Sequence, residues 1–214
     1  MDNDEKAQHF FYNPDNSPTY QEPDYKNWVR INFGSGSLRG FFVHDQCTLG
    51  DLDDPSNQLV LEDYMFGLVV EDSTFNESFD AIVGLAYPIF AEPGVEPFFD
   101  GLMRAGVMGK DVFSFYMSIN PEEEESELVL GAWDETKFDG DLTWHPVVHQ
   151  RFWSISLDDI LVNGQSLGLC DSQRDCLITP DSGTSLVTFP SWAYDIFLDQ
   201  YGGVVDCEEG WELE

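Results

Sequence analysis

Residues 27–50, NWVRINF-GSGS-LRGFFVHDQCTLG, constrain the fold most. Two strand-forming runs rich in Val, Ile, Phe and Trp meet at a glycine–serine tip. β-Branched and aromatic residues favour extended backbone and glycine supplies the turn, so the stretch predicts a hairpin. The rhythm continues through NQLVLEDYMFGLVVED (57–72), FDAIVGLAYP (79–88), VFSFYMSI (112–119), ELVLGAW (127–133), DLTWHPVV (141–148) and FWSISLDDILVNG (152–164). Turn residues between these runs give the spacing of about 8–12 residues typical of an all-β protein. Two segments break it. In PFFDGLMRAGVMGKD, Phe99, Leu102, Met103 and Val107 recur at helical spacing and Gly106 is placed to close a short helix. SWAYDIFLDQYGG predicts a second helix, with Ser191 as N-cap behind Pro190 and glycines at its end.

A mainly β chain of this length needs a core. With 214 residues, 42% of them hydrophobic, the sequence can fill one large domain or two small ones. Seventeen Phe, eight Tyr and six Trp argue against disorder despite 41 acidic residues against nine basic ones, a formal charge of −32. Such a surface repels nucleic-acid phosphates and anionic lipid, which excludes both as partners. It fits an acidic working compartment, where protonation relieves self-repulsion, and it also fits a surface built only for solubility. No apolar run approaches the ~18 residues of a membrane span. The first twenty residues carry no basic segment followed by an apolar one, so no signal peptide is expected in this chain.

Four cysteines, Cys47, Cys170, Cys176 and Cys207, permit three full pairings. Cys170 and Cys176 bracket the polar loop DSQRD, for which a short local disulfide is the simplest reading. Metal binding is the alternative, but there is no C-x-x-C and His9, His44, His145 and His149 are scattered, so no zinc site is expected. The acidic run PEEEESE (121–127) reads as a solvated hairpin loop, and Asn76-Glu77-Ser78 as a glycosylation sequon on a surface loop if the chain is secreted.

The chemistry-bearing stretch is CLITPDSGTSLVTFP (176–190). An apolar run stops at Asp181-Ser182-Gly183-Thr184-Ser185 and is expected to resume as strand at Leu186-Val187-Thr188. Gly183 gives the turn its freedom, and the hydroxyls of Ser182, Thr184 and Ser185 are placed to hydrogen-bond the carboxylate and hold it ionised. One such aspartate is a weak acid catalyst near neutral pH. Two sharing a proton divide the work, one as base for water and one as acid for a carbonyl. The plain alternative is an Asx-type turn between strands.

These stretches, in order, resemble a pepsin-family aspartic protease. FYNPDNSPTYQ (11–21) resembles the segment after the family's first catalytic loop, INFGSGSLRG its flap, FDAIVGLAYP and VFSFYMS its N-terminal lobe. LVLGAWDETKFDGDLTWHPV resembles the crossing between lobes, FWSISLDDILVNG the entry to the C-terminal lobe, and CLITPDSGTSLV the second catalytic loop. The resemblance implies a mainly β, bilobal pepsin-like acid protease fold, incomplete at both termini. Residues 1–140 would form an N-terminal lobe without its first strands and first catalytic loop, and 141–214 the start of a C-terminal lobe without its closing strands.

It also implies an aspartic-type endopeptidase that cleaves polypeptides by a carboxylate-activated water, as a monomer, with no metal or organic cofactor. Asp181 becomes the second catalytic aspartate, Ser182 and Ser185 part of its loop, and Gly183 and Thr184 substrate contacts. Gly34, Ser35 and Gly36 become the flap, with Phe33 in place of the family's flap tyrosine and unable to donate its hydroxyl hydrogen bond. Phe99 and Phe152 fall at subsite positions, where a core role serves equally well. Cys207 resembles one arm of a further disulfide whose partner this sequence lacks. The full-length form is expected to be secreted or vacuolar/lysosomal. Only one D-[ST]-G triplet is present, so the chain alone is expected to be inert. A catalytically inactive pepsin-like module that binds peptide or protein is the alternative.

Overall fold

The computed structural model describes residues 10–33, 36–50, 54, 56, 58–72, 80–120, 122–170 and 175–201. The chain divides into two units, Met1–Asp141 and Leu142–Glu214, and both are mainly β.

The first unit is organised by the antiparallel sheet β1 (Trp28–Phe33), β2 (Gly36–Gly50) and β3 (Gln58–Asp72), in that order. Trp28 stands opposite Phe41 and Phe33 opposite Gly36, so the expected hairpin forms around residues 34 and 35. The β2–β3 register slips between Arg39 and Gly40. A Cβ at Gly40 would lie 2.2 Å from the Leu68 carbonyl oxygen, so only glycine fits there. Phe41, Val43 and Asp45 alternate inward on one face of β2 and are all buried.

Helix α1 (Phe98–Ala105) ends where expected, at Gly106 with φ 64°. It buries Phe99 and Leu102 as the sequence pattern implied, together with Phe98 and Gly101, while Met103 is partly buried and Val107 falls beyond its end, exposed. Leu61 of β3 joins Phe98 and Leu102 in the core, surrounded by Cys47, Leu49, Leu59, Tyr64, Leu85, Met108 and Leu130. Phe99 packs edge-on against Phe113, ring centroids 5.0 Å apart, which gives it the core role.

Strands β4 (Phe113–Tyr116) and β5 (Glu127–Leu130) pair as a hairpin whose acidic loop is exposed over residues 122–126, as expected. Lys137 ties it down, its ammonium 2.7 Å from Glu124 and 3.1 Å from Glu127, while Tyr116 donates to Glu124.

One expected strand is absent. Residues 80–88 of the FDAIVGLAYP run form no strand, and Ile82 and Val83 are 50% and 58% exposed. Their side chains favour extended backbone, but a strand also needs a neighbour to pair with, and no ladder reaches them among the described residues.

The second unit holds the sheet β6 (Val147–Gln150), β7 (Trp153–Leu157) and β10 (Cys176–Ile178), with β7 central. Strand in the DLTWHPVV run therefore starts only at Val147, after Pro146. Between β7 and β10 lies the two-residue ladder of β8 (Leu161–Val162) and β9 (Gln165–Ser166). Its Asn163-Gly164 tip takes φ 51° and 78°, the positive values such a hairpin demands. Helix α2 (Ser191–Tyr201) packs Ala193 onto Leu167 and Leu169. Pro190, not Ser191, takes the cap position: its carbonyl accepts from the Ala193 and Tyr194 amides, and Ser191 is already helical.

Candidate active site

The aspartate turn follows an anchored strand. At its start, the Cys170–Cys176 disulfide forms, with Cα atoms 5.6 Å apart. Along it, β10 pairs with β7, Cys176 opposite Leu157 and Ile178 opposite Ile155. Just past its end, the Thr179 hydroxyl meets the buried Ser154 hydroxyl at 2.8 Å. Pro180 then removes the amide that would continue the ladder.

Asp181 comes next, exposed. The Gly183 amide donates to Oδ1 at 2.9 Å and the Thr184 hydroxyl to Oδ2 at 2.7 Å, while the Thr184 amide reaches the Asp181 carbonyl at 3.3 Å. The Thr184 hydroxyl, then the Gly183 amide, hold the carboxyl below its ordinary pKa; slight burial opposes them and loses. A Cβ at Gly183 would sit 3.3 Å from Oδ1, so the small residue keeps that oxygen uncrowded.

Of the three hydroxyls expected to serve the carboxylate, Thr184 does; Ser182 and Ser185 are exposed in the turn and hydrogen-bond it nowhere among the described residues. The strand expected to resume at Leu186 does not. Leu186 and Val187 are 79% and 84% exposed, and residues 186–190 are irregular. The turn thus presents an ionised carboxylate that can accept a proton from water, beside backbone and hydroxyl groups open to solvent.

Other expected site residues are placed as follows. Phe33 closes β1 opposite Gly36, which opens β2. Gly34 and Ser35, the sequon Asn76 and Cys207 lie outside the described residues. Phe152 is half-exposed between β6 and β7. Cys47 is a free thiol, pushed above its ordinary pKa by burial. Among the described residues, no group of three His, Cys, Asp or Glu side chains could hold a metal, and no helix is long and apolar enough to cross a membrane.

Sequence reading missed a second carboxylate. Asp45 is 3% exposed and accepts four hydrogen bonds. Ser17 (2.8 Å), Thr19 (2.6 Å) and the Gln46 amide (2.7 Å) donate to Oδ1, and Tyr12 (2.6 Å) donates to Oδ2. Burial pushes its pKa up, but the bonds from Thr19, Tyr12, Ser17 and Gln46 outweigh it and hold it down at about 2. The signal was there. Asp45 follows Phe41 and Val43 in the inward period of β2, where a charge demands donors, and Ser17 and Thr19 were candidates to supply them.

Comparison with known proteins gives this arrangement its family. The model for eukaryotic aspartyl proteases matches residues 1–212. Guinea pig (Cavia porcellus) cathepsin E is 39% identical over 209 residues, covering 96% of this chain and 50% of the relative. Gastricsin of the same animal is 35% identical over 183 residues, 86% and 44%. Cathepsin D of Chionodraco hamatus is 37% identical over 189 residues, again 86% and 44%. The chain belongs to the eukaryotic aspartyl protease family, and its mainly β architecture is that of a pepsin-like fold. It spans about half the length of these relatives.

Proposed function

We propose that this chain belongs to an aspartic endopeptidase in which Asp181 is one of two carboxylates that activate water for attack on a peptide carbonyl. The observation that carries the reading is the Asp181 turn: a solvent-facing carboxylate kept ionised by Thr184 and Gly183, in a chain of this family. A second carboxylate sharing a proton with it would serve as the acid, because two like charges in contact cannot both ionise, as aspartic protease dyads exemplify. Gly183 and Thr184 would contact the substrate backbone, with Ser182 and Ser185 completing the loop. The β1–β2 tip, Phe33 to Gly36, would pair with an extended polypeptide as an added strand.

Residues 1–140 and 141–214 would belong to the two lobes, a division supported by the units Met1–Asp141 and Leu142–Glu214. A secreted or vacuolar/lysosomal compartment fits both the Cys170–Cys176 disulfide, which needs oxidising conditions to form, and the charge of −32, which acid relieves. One observation favours a second reading, an inactive module that binds peptides: Phe33 stands in place of the flap tyrosine and has no hydroxyl to donate.

Sequencing the transcript upstream of the Met1 codon separates the two. A second D-[ST]-G triplet in frame is expected, and the form carrying it should cleave an unfolded protein at about pH 3–5 and lose that cleavage on Asp181→Asn. The 214-residue chain alone should be inert or nearly so. An in-frame stop just before Met1 would sink the endopeptidase reading and leave the binding module.

A further inference from the structure

The Asp45 cluster lies on β2 at a place where that strand loses a neighbour. β1 pairs with β2 only as far as Trp28 opposite Phe41. From Phe42 to Gly50, β2 keeps β3 on one side. On the other, among the described residues, the ladder is met only at the Gln21–His44 bridge, where the Gln21 amide donates to the His44 carbonyl at 2.9 Å. An unprotected strand edge is a template for pairing with other chains, so what holds residues 12–21 there matters.

That segment, YNPDNSPTYQ, has no Val, Ile, Leu, Met or Phe with which to hold itself. Its 3₁₀ turn at Pro14–Asn16 is capped by the Asn13 side chain, which fixes the direction in which Ser17 and Thr19 leave it. Tyr12 lays its ring edge-on against Phe66 of β3, centroids 5.2 Å apart. Among the described residues, its side-chain hydrogen bonds to the sheet converge on one group, the Asp45 carboxylate, through Tyr12, Ser17 and Thr19.

We propose that Asp45 is an acid-resistant latch, holding residues 12–21 across the open edge of β2 while exposed carboxylates neutralise, and freeing that edge only when its own carboxyl takes up a proton. The latch does not depend on whether Asp181 is catalytic.

The titratable groups around Asp45 do not compete for it. Tyr12 comes from the segment and is held protonated by burial and by its bond to Asp45. His44, its neighbour on β2, is engaged by Asp63 of β3 at 2.7 Å. Glu62 of β3 accepts from Gln46, and Tyr64, opposite Asp45 in the register, donates to the Glu96 carbonyl. The carboxylate is therefore held by neutral donors, which do not themselves titrate away as the solution turns acid.

Hydrogen exchange on the whole chain, referred to an unstructured peptide at each pH, tests the latch. Protection of the Gln21 amide should persist from neutral pH to about pH 3 and collapse about tenfold or more near pH 2, the size expected for bonds to a charged acceptor. Asp45→Asn should cause that collapse already at pH 5 while the β2–β3 amides stay protected. Should Asp45→Asn fail to fold, Thr19→Val and Ser17→Ala each remove one donor and should move the collapse to higher pH. Loss of wild-type Gln21 protection between about pH 5 and 4, together with exposed carboxylates, or unchanged collapse in the Thr19 and Ser17 variants, would overturn the latch.

Discussion

Asp45 and Asp181 are built from the same parts and put to opposite uses. Each carboxylate accepts from at least one side-chain hydroxyl and from a backbone amide, and each is held below its ordinary pKa by those bonds. Asp45, however, is buried and takes four donors, with its side-chain partners 26, 28 and 33 residues away. Asp181 is exposed and takes two, both within three residues. A carboxylate served from afar joins segments of chain and has no room left for chemistry. One served by its own turn joins nothing, and its unfilled acceptor positions face solvent.

Removing each group should expose the contrast most sharply. Asp45→Ala strands three hydroxyls and an amide in a site without their acceptor, and should destabilise the first unit by about 3 kcal/mol or more. Asp181→Ala strands one exposed hydroxyl and one exposed amide that water can satisfy, and should cost about 0.5 kcal/mol or less. Urea unfolding of both variants against wild type measures the difference. Equal costs would mean that burial and reach do not separate the two sites.

Acid should separate them next. Asp45 has its pKa lowered from an ordinary 3.8 to about 2, so folding favours its ionised form. Its contribution is fully present above pH 3.8 and disappears as pH falls through about 2. The amount is about 2 kcal/mol, from the free-energy equivalent of the shift. Stability of wild type minus that of Asp45→Asn, followed from pH 6 to pH 1.5, should shrink by about that much across this window, mostly below pH 4. A difference that stays constant with pH would show that the hydrogen bonds do not prefer the charged form.

The same contrast explains what could be read in the sequence. The Asp181 turn was legible because its donors are its immediate neighbours, and D-S-G-T states the geometry in four letters. The β1–β2 hairpin and both helices were legible for the same reason: period and turn residues act over a few positions. Asp45 was legible only as an inward-facing charge in need of donors, because nothing local in HDQC says which of the distant hydroxyls, Tyr12, Ser17 and Thr19, will arrive. The 80–88 run failed in the opposite way. Ile82, Val83 and Leu85 carry strand propensity, but propensity does not create a partner strand. Leu186 and Val187 repeat that failure after the turn. In α1 the pattern found Phe99 and Leu102 but not Phe98 and Gly101, since what those two meet, Leu61 and Tyr64 of β3, lies outside the helix.

The smallest expected effect is also the most specific to the turn. Thr184 is the larger of the two influences on the Asp181 carboxyl, and its hydroxyl is the sole donor to Oδ2 among the described residues. Thr184→Val keeps the shape and β-branching and deletes that bond. The ionised form then loses a partner that the neutral form never needed, so the Asp181 pKa must rise toward the ordinary carboxylate value. Unfolding free energy should move by no more than about 0.5 kcal/mol, since the bond is exposed and lies within a single turn. Carboxyl-carbon NMR titration of Asp181 in wild type and variant reads the shift directly. An upward move with stability unchanged would establish that Thr184 tunes the charge of the carboxylate without supporting the fold. An unmoved pKa would assign that tuning to the Gly183 amide and make Thr184 an ordinary turn residue.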